Sequence, residues 1–177
     1  MARKNVTITL YVQELIYDVQ NKTYITGRSR YNGKNHEEVA NMQANDDDEN
    51  LSQIARCVQK GFSDLKTKLS EYITDITDAE ADNTLFEPGA DNSVTEYNLT
   101  LSMPSNYNRA TVQSIADNAH QYIVNSAIKE WFVITNKADA NDYDVLLMGN
   151  LMIINEGLNK RVRPTKKSNE TRDSRFG

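Results

Sequence analysis

Along the first twelve residues apolar and polar positions alternate. Val6, Ile8, Leu10 and Val12 fall on one face and Thr7, Thr9 and Tyr11 on the other, the period-two pattern of a half-buried strand. Next, Leu15-Ile16-Tyr17-Asp18-Val19 and Tyr24-Ile25-Thr26 flank the polar Gln20-Asn21-Lys22-Thr23. Their β-branched and aromatic content predicts two strands closed by a short turn, with a short helix over residues 11–19 as the competing reading. Residues 35–42 predict a short helix capped by Asn35, with Glu37 and Glu38 in the first turn, where the helix dipole favours negative charge. After a loop over residues 45–50, the apolar positions Leu51, Ile54, Ala55, Val58, Phe62, Leu65, Leu69, Tyr72, Ile73 and Ile76 recur every three or four residues. That spacing predicts an amphipathic helix of about seven turns. Gly61 interrupts it at a propensity cost of roughly 1 kcal/mol relative to Ala.

Residues 77–93 are polar and acidic, contain Pro88-Gly89, and predict a surface loop dividing the chain. Residues 94–103 alternate again and predict a strand, with Tyr97, Leu99, Leu101 and Met103 on one face and Pro104 as its stop. Asn106 or Asn108 then caps a helix carrying Val112, Ile115, Ala116, Ala119, Tyr122, Ile123, Ala127, Trp131, Phe132 and Ile134. A break at Asn136-Lys137 leads to a last helix, started by Asp139 or Asn141, with Tyr143, Leu146, Leu147, Asn150, Leu151, Ile154 and Leu158. Two long helices joined by so short a link must fold back on each other. The predicted class is α+β: a small antiparallel sheet packed against three long helices, the last two forming an antiparallel hairpin. Residues 1–159 make one domain and residues 160–177 an extended basic C-terminal arm.

Charge gives the arm its interest. Residues 160–177 hold 7 Lys/Arg against 2 Asp/Glu, residues 35–159 hold 7 against 21, and residues 1–34 hold 6 against 2. The formal net charge of −5 thus conceals positive ends around a negative middle, a layout that steers association. The arm offers Lys160, Arg161, Arg163, Lys166 and Lys167 either to a phosphate backbone or to the acidic body of a neighbouring copy. Phe176 is its only aromatic residue, so it lacks the interleaved rings of a single-strand platform.

Catalytic and ligand-binding patterns are scarce. His36 and His120 each lack a second ligand at metal-binding spacing, and Cys57, the single cysteine, has no sequence-local base. The run Asp46-Asp47-Asp48-Glu49 fails as a calcium loop, because positions six and twelve counted from Asp46 are Leu51 and Cys57. Asp78, Glu80, Asp82, Glu87 and Asp91 form a second diffuse acidic surface. The glycines are isolated. Gly149 and Gly157 mark either a close helix approach or tolerated flexibility. No catalytic residue, cofactor or metal is therefore expected. No apolar run reaches the roughly 20 residues of a membrane span, and no apolar signal core follows Met1, so the expected setting is a cytoplasm or an assembly formed in one. The densest apolar cluster is Trp131-Phe132-Val133-Ile134, which reads as core or, through its aromatic anchors Trp131 and Phe132, as a subunit interface.

The second half has a family likeness. A helix with Tyr122-Ile123-Val124 and Trp131-Phe132, the link Thr135-Asn136-Lys137-Ala138-Asp139-Ala140, then Tyr143, Leu146-Leu147 and a close at Arg161-Val162-Arg163-Pro164 resemble virion proteins of tailed phages infecting Bacteroides-type gut bacteria. The likeness covers about residues 97–164 and points to head–tail joining, neck or tail ring components. It implies a non-enzymatic, multi-copy structural protein of the virion, assembled in the host cytoplasm. Its partners would be further copies of itself and other virion proteins. The alternatives are a nucleic-acid-associated accessory protein that binds through the basic segment, and an enzyme whose site forms only in three dimensions.

Overall fold

The computed structural model describes residues 3–45, 47–73 and 94–164. Strand β1, Arg3–Tyr11, runs antiparallel to β2, Glu96–Pro104, with Val6 opposite Leu101, Ile8 opposite Leu99 and Leu10 opposite Tyr97. These residues form the inner face, where Val6, Ile8, Leu10, Leu99, Leu101 and Met103 are all buried. The outer face is polar. The Thr7 and Thr100 hydroxyls lie 3.3 Å apart, and Thr9 Oγ1 donates to Asn98 Oδ1 at 2.7 Å. The alternation in both strands therefore reports a sheet with one face toward protein and the other toward solvent.

The predicted hairpin after β1 does not form. Residues Val12–Ser29 are one continuous helix, α1. Its buried positions are Leu15, Val19, Thr23 and Gly27, a four-residue repeat that runs straight through the polar stretch read as a turn. Tyr17, Tyr24 and Ile25, which suggested strands, are exposed. Packing overrides β propensity here. Thr23 is fully buried, and its hydroxyl both donates to Gln20 O (2.9 Å) and accepts from Ala44 N (3.2 Å).

Helix α2 spans His36–Met42 and α3 spans Asp48–Lys68. The expected seven turns of α3 are cut short at Leu69, because the chain turns so that Tyr72 and Ile73 reach the outer edge of β2. Ser102 N donates to Tyr72 O at 2.6 Å, and Ile73 pairs with Leu101. Ile76, the predicted acidic loop at 77–93 and Asp46 lie outside the described residues.

A 3-10 turn, Arg109–Thr111, is capped by Asn108, whose side chain accepts from Ala110 N at 3.1 Å. It leads into α4, Val112–Thr135. After the four-residue helix α5, Lys137–Ala140, comes α6, Asp142–Asn159. Pairings of α6 with α4 and the turn before it run in opposite order: Thr111 Oγ1 donates to Gly157 O, Asn125 meets Asn150, Lys129 meets Asp144, and the Phe132 ring meets Tyr143 edge-on. The antiparallel helical hairpin is present, and the class is α+β. Four long helices accompany the sheet rather than three, since α1 replaces the expected hairpin.

Helix α4 packs against α1, α3, α6 and β1. Gly61 of α3 is explained by this contact. A Cβ there would lie 3.2 Å from Ile123 O and from Ser126 Cβ, so the absence of a side chain lets α3 approach α4 closely. Gly157 plays the same part in α6, where a Cβ would meet Ile115 Cγ1 at 2.7 Å. At Gly149 a Cβ would meet nothing within 4 Å. Replacing Gly149 with Ala is therefore expected to stabilise the fold by about 0.5–1 kcal/mol, and Gly157→Ala to destabilise it by about 1–3 kcal/mol through overpacking. Urea unfolding at low protein concentration checks both, and a neutral Gly157→Ala would contradict the close α4–α6 approach.

Candidate functional site

The candidate chemical residues do not converge. His120, on α4, places Nε2 2.9 Å from Asp18 Oδ2 of α1, an interhelical pair in which each side chain is partly covered. His36 is exposed and its Nε2 lies 2.9 Å from the Tyr31 hydroxyl. Cys57 is buried in α3, and burial, reinforced by the Glu130 charge, pushes its thiol up from its ordinary range. Such a thiol is a weak nucleophile. Among the described residues no group of three or more His, Cys, Asp or Glu could hold a metal ion. Tyr122 donates to Asp64 across the α3–α4 contact, and burial, with that carboxylate second, raises its hydroxyl well above the ordinary range.

The apolar cluster near the end of α4 divides in two. Phe132 is fully buried against this chain's own core, and Trp131 is 7% exposed with its indole Nε1 donating to Met42 O at 3.0 Å. Both side chains named as interface anchors are thus occupied within the subunit. The other two, Val133 and Ile134, are exposed at 51% and 70%. Consecutive helical residues point about 100° apart, so a run of four cannot all turn inward.

The basic segment also divides. Asn108 N donates to Lys160 O at 3.2 Å and Val162 N to Asn106 O at 2.8 Å, so residues 160–162 are held against the turn before α4. Lys160 Nζ pairs with Glu156 at 2.7 Å, and Arg161 Nη1 donates to Leu158 O at 2.7 Å, satisfying a carbonyl at the end of α6. Arg163 is exposed. Lys166 and Lys167 lie outside the described residues, as does the rest of the arm from residue 165.

The largest feature missed by sequence reasoning is the outer face of α6. The inner face, carrying Leu147, Leu151, Ile154, Gly157 and Leu158, packs toward α4. Asn150 joins it through a ladder in which Asn125 Nδ2 donates to Asn150 Oδ1 and Asn150 Nδ2 to Asn118 Oδ1, each at 3.1 Å. Opposite this face Val145, Met148 and Met152 are exposed at 72%, 71% and 73%, flanked by the half-exposed Leu146 and Ile153. With Gly149 among them, these positions recur every three or four residues and make an apolar stripe along one side of the helix. The signal was present in the chain: residues 145–155 contain no charged side chain, and apolar residues occupy every side of the helical wheel. A helix of that composition is normally covered all round. Only half of this one is.

Other surfaces are more ordinary. On α1, Tyr17 and Tyr24 are interspersed with polar neighbours, and the Arg28 guanidinium lies 5.8 Å from the Tyr24 ring centre. No described helix is long and apolar enough to cross a membrane. Comparison of the chain with protein-family models, curated proteins and solved structures finds no match.

Truncating Trp131 to Ala should cost about 3–5 kcal/mol, the range for loss of a large buried aromatic. Trp131→Phe should cost less, because it retains much of the apolar volume while leaving Met42 O without its donor. Equilibrium unfolding distinguishes the two, and a loss below about 1 kcal/mol for Trp131→Ala would contradict core burial.

Proposed function

We propose that the protein is a non-enzymatic structural subunit that works as an oligomer, of the head–tail joining, neck or tail ring type found in tailed phage particles. The observation that carries the oligomer is the uncovered apolar face of α6. Covering a side chain such as Val145, Met148 or Met152 removes apolar area from water at roughly 25 cal/mol per Å², or about 1–2 kcal/mol for each. Summed over the five residues of the stripe this is about 5–10 kcal/mol, comparable with the roughly 4–15 kcal/mol cost of immobilising a partner. The face is therefore strong enough to direct assembly and too small to hold one tightly without further contacts. The virion setting, with assembly in the host cytoplasm, rests on the resemblance of residues 97–164.

The reading separates the roles of the two ends of the molecule. Asp144 and Lys160 are already paired with Lys129 and Glu156, which leaves Asp142 at the start of α6 and Arg161 just past its end as opposite charges at the two ends of the stripe. Such a rim aligns an incoming surface without adding much affinity.

The Met148→Lys/Met152→Lys double variant should keep its helical circular dichroism and urea midpoint while its sedimentation mass falls below that of the wild-type assembly at the same concentration. Truncation after Pro164, which spares the hydrogen bonds of residues 160–162, tests the arm separately. A wild-type protein that stays monomeric at every concentration, and shifts DNA with a steep salt dependence, would overturn the reading in favour of nucleic-acid binding.

A further inference from the structure

Among the described residues the sheet has two strands, and no backbone group pairs with the edge of β1 away from β2. β1 is nine residues long and contains neither Pro nor Gly. Long, regular edges of this kind are templates for another strand, and proteins ordinarily shorten, bend or cover them. Instead, a groove of about 520 Å³ runs beside this edge. It is lined by Thr7, Ile8, Thr9 and Leu10 on one wall and by the Val112–Gln121 face of α4 on the other, with no residue of β2. Four consecutive strand residues can line one groove only along the strand's edge, because alternate side chains point to opposite faces.

Charge along the edge is polarised. Arg3 and Lys4 begin β1, and past its other end Glu14 and Asp18 of α1 line a second hollow that shares His120 with the first. Asp117 adds a further carboxylate on the α4 wall. Lys4 and Glu14 form no ion pair among the described residues.

We propose that the free edge of β1 pairs antiparallel with β1 of a second copy, joining two sheets into one of four strands. Centred on Thr7, the midpoint of Arg3–Tyr11, this pairing sets Lys4 opposite Leu10 of the second copy and Arg3 opposite its Tyr11. The basic start of each strand then lies beside the acidic first turns of the other copy's α1. A parallel pairing would instead put Arg3 and Lys4 against their own duplicates, which is repulsive. The antiparallel arrangement is self-complementary, as a two-fold contact must be. It supplies backbone hydrogen bonds where the α6 face supplies apolar area. The inference deepens the oligomer reading and rests on it, but uses a different surface. A two-fold contact combined with a second contact through α6 gives assemblies of even copy number when they close.

The test is a charge swap on the full chain, read by sedimentation at low salt over a range of concentrations. Lys4→Glu and Glu14→Lys should each weaken the β1-mediated association by about tenfold, and the Lys4→Glu/Glu14→Lys double variant should recover most of the loss. Repeating the series in the Met148→Lys/Met152→Lys background isolates this contact, and a concentration-dependent dimer should remain there. Amide exchange supplies an independent readout: outward-facing amides of β1 should become protected as concentration rises. Single swaps without effect, a double variant no better than either single one, or β1 exchange independent of concentration would each overturn the pairing. If β1 fails these tests while the α6 variant still dissociates an oligomer, the assembly reading survives and the edge pairing does not. If the wild-type chain never associates, both fall.

Discussion

Everything else in the structure depends on covering α4. Ile115, Ala119, Tyr122, Ile123, Val124, Ala127, Ile128, Trp131 and Phe132 are buried on this one helix, too many positions for a single apolar stripe. The helix must therefore be surrounded. α3 covers one side, at closest range where Gly61 leaves room, α6 covers another through Gly157, and α1 and β1 close much of the remainder. Each covering element is amphipathic because its other face meets water. α6 is the exception. It is apolar toward α4 and apolar away from it, and that asymmetry marks it as a place where assembly continues beyond one chain.

Polar groups set the alignment that apolar contact leaves undetermined. Lys22 Nζ of α1 donates to Gln121 Oε1 at 2.6 Å and reaches Asn125 at 3.5 Å, and Asn125 continues through Asn150 to Asn118. Burial lowers the Lys22 ammonium from its ordinary range, against the opposing influence of Asp18. A one-turn slip of α6 along α4 would strand these amides and also drive Gly157 away from Ile115. Leaving a buried polar group unpaired costs about 1–3 kcal/mol, so the network selects one register among several that would bury similar apolar area.

Much of this was legible in the chain, and the failures have a common cause. Period-two alternation located both strands, and the spacing of Ile115, Ala119, Ile123 and Phe132 located α4. Of the two expected helix caps, Asn106 and Asn108, Asn108 caps the 3-10 turn that leads into it rather than the helix itself. The segment after β1 misled because Tyr17, Tyr24 and Ile25 favour strands, whereas the informative positions were Leu15, Val19, Thr23 and Gly27. Two of those four are not strongly apolar, so their shared burial was invisible before α2 and α4 were in place. Trp131 and Phe132 were ambiguous for a related reason, open to a core or an interface reading, and their side chains are buried. Large aromatics anchor cores and interfaces alike, and which they serve depends on whether the same chain supplies their cover. Here Met42 and Tyr143 do, from distant and neighbouring segments respectively.

Local pattern alone therefore determined the element types over most of the chain, the antiparallel helical hairpin and the polarised charge, because each depends on residues close in sequence. Tertiary structure decided the pairing of β1 with β2, across some ninety residues. It also decided the burial of Thr23 and Trp131, the attachment of residues 160–162 to the body, and the side of α6 that remains uncovered. Those outcomes depend on which surfaces meet when the whole chain collapses around α4, and no periodicity within a single segment encodes that choice.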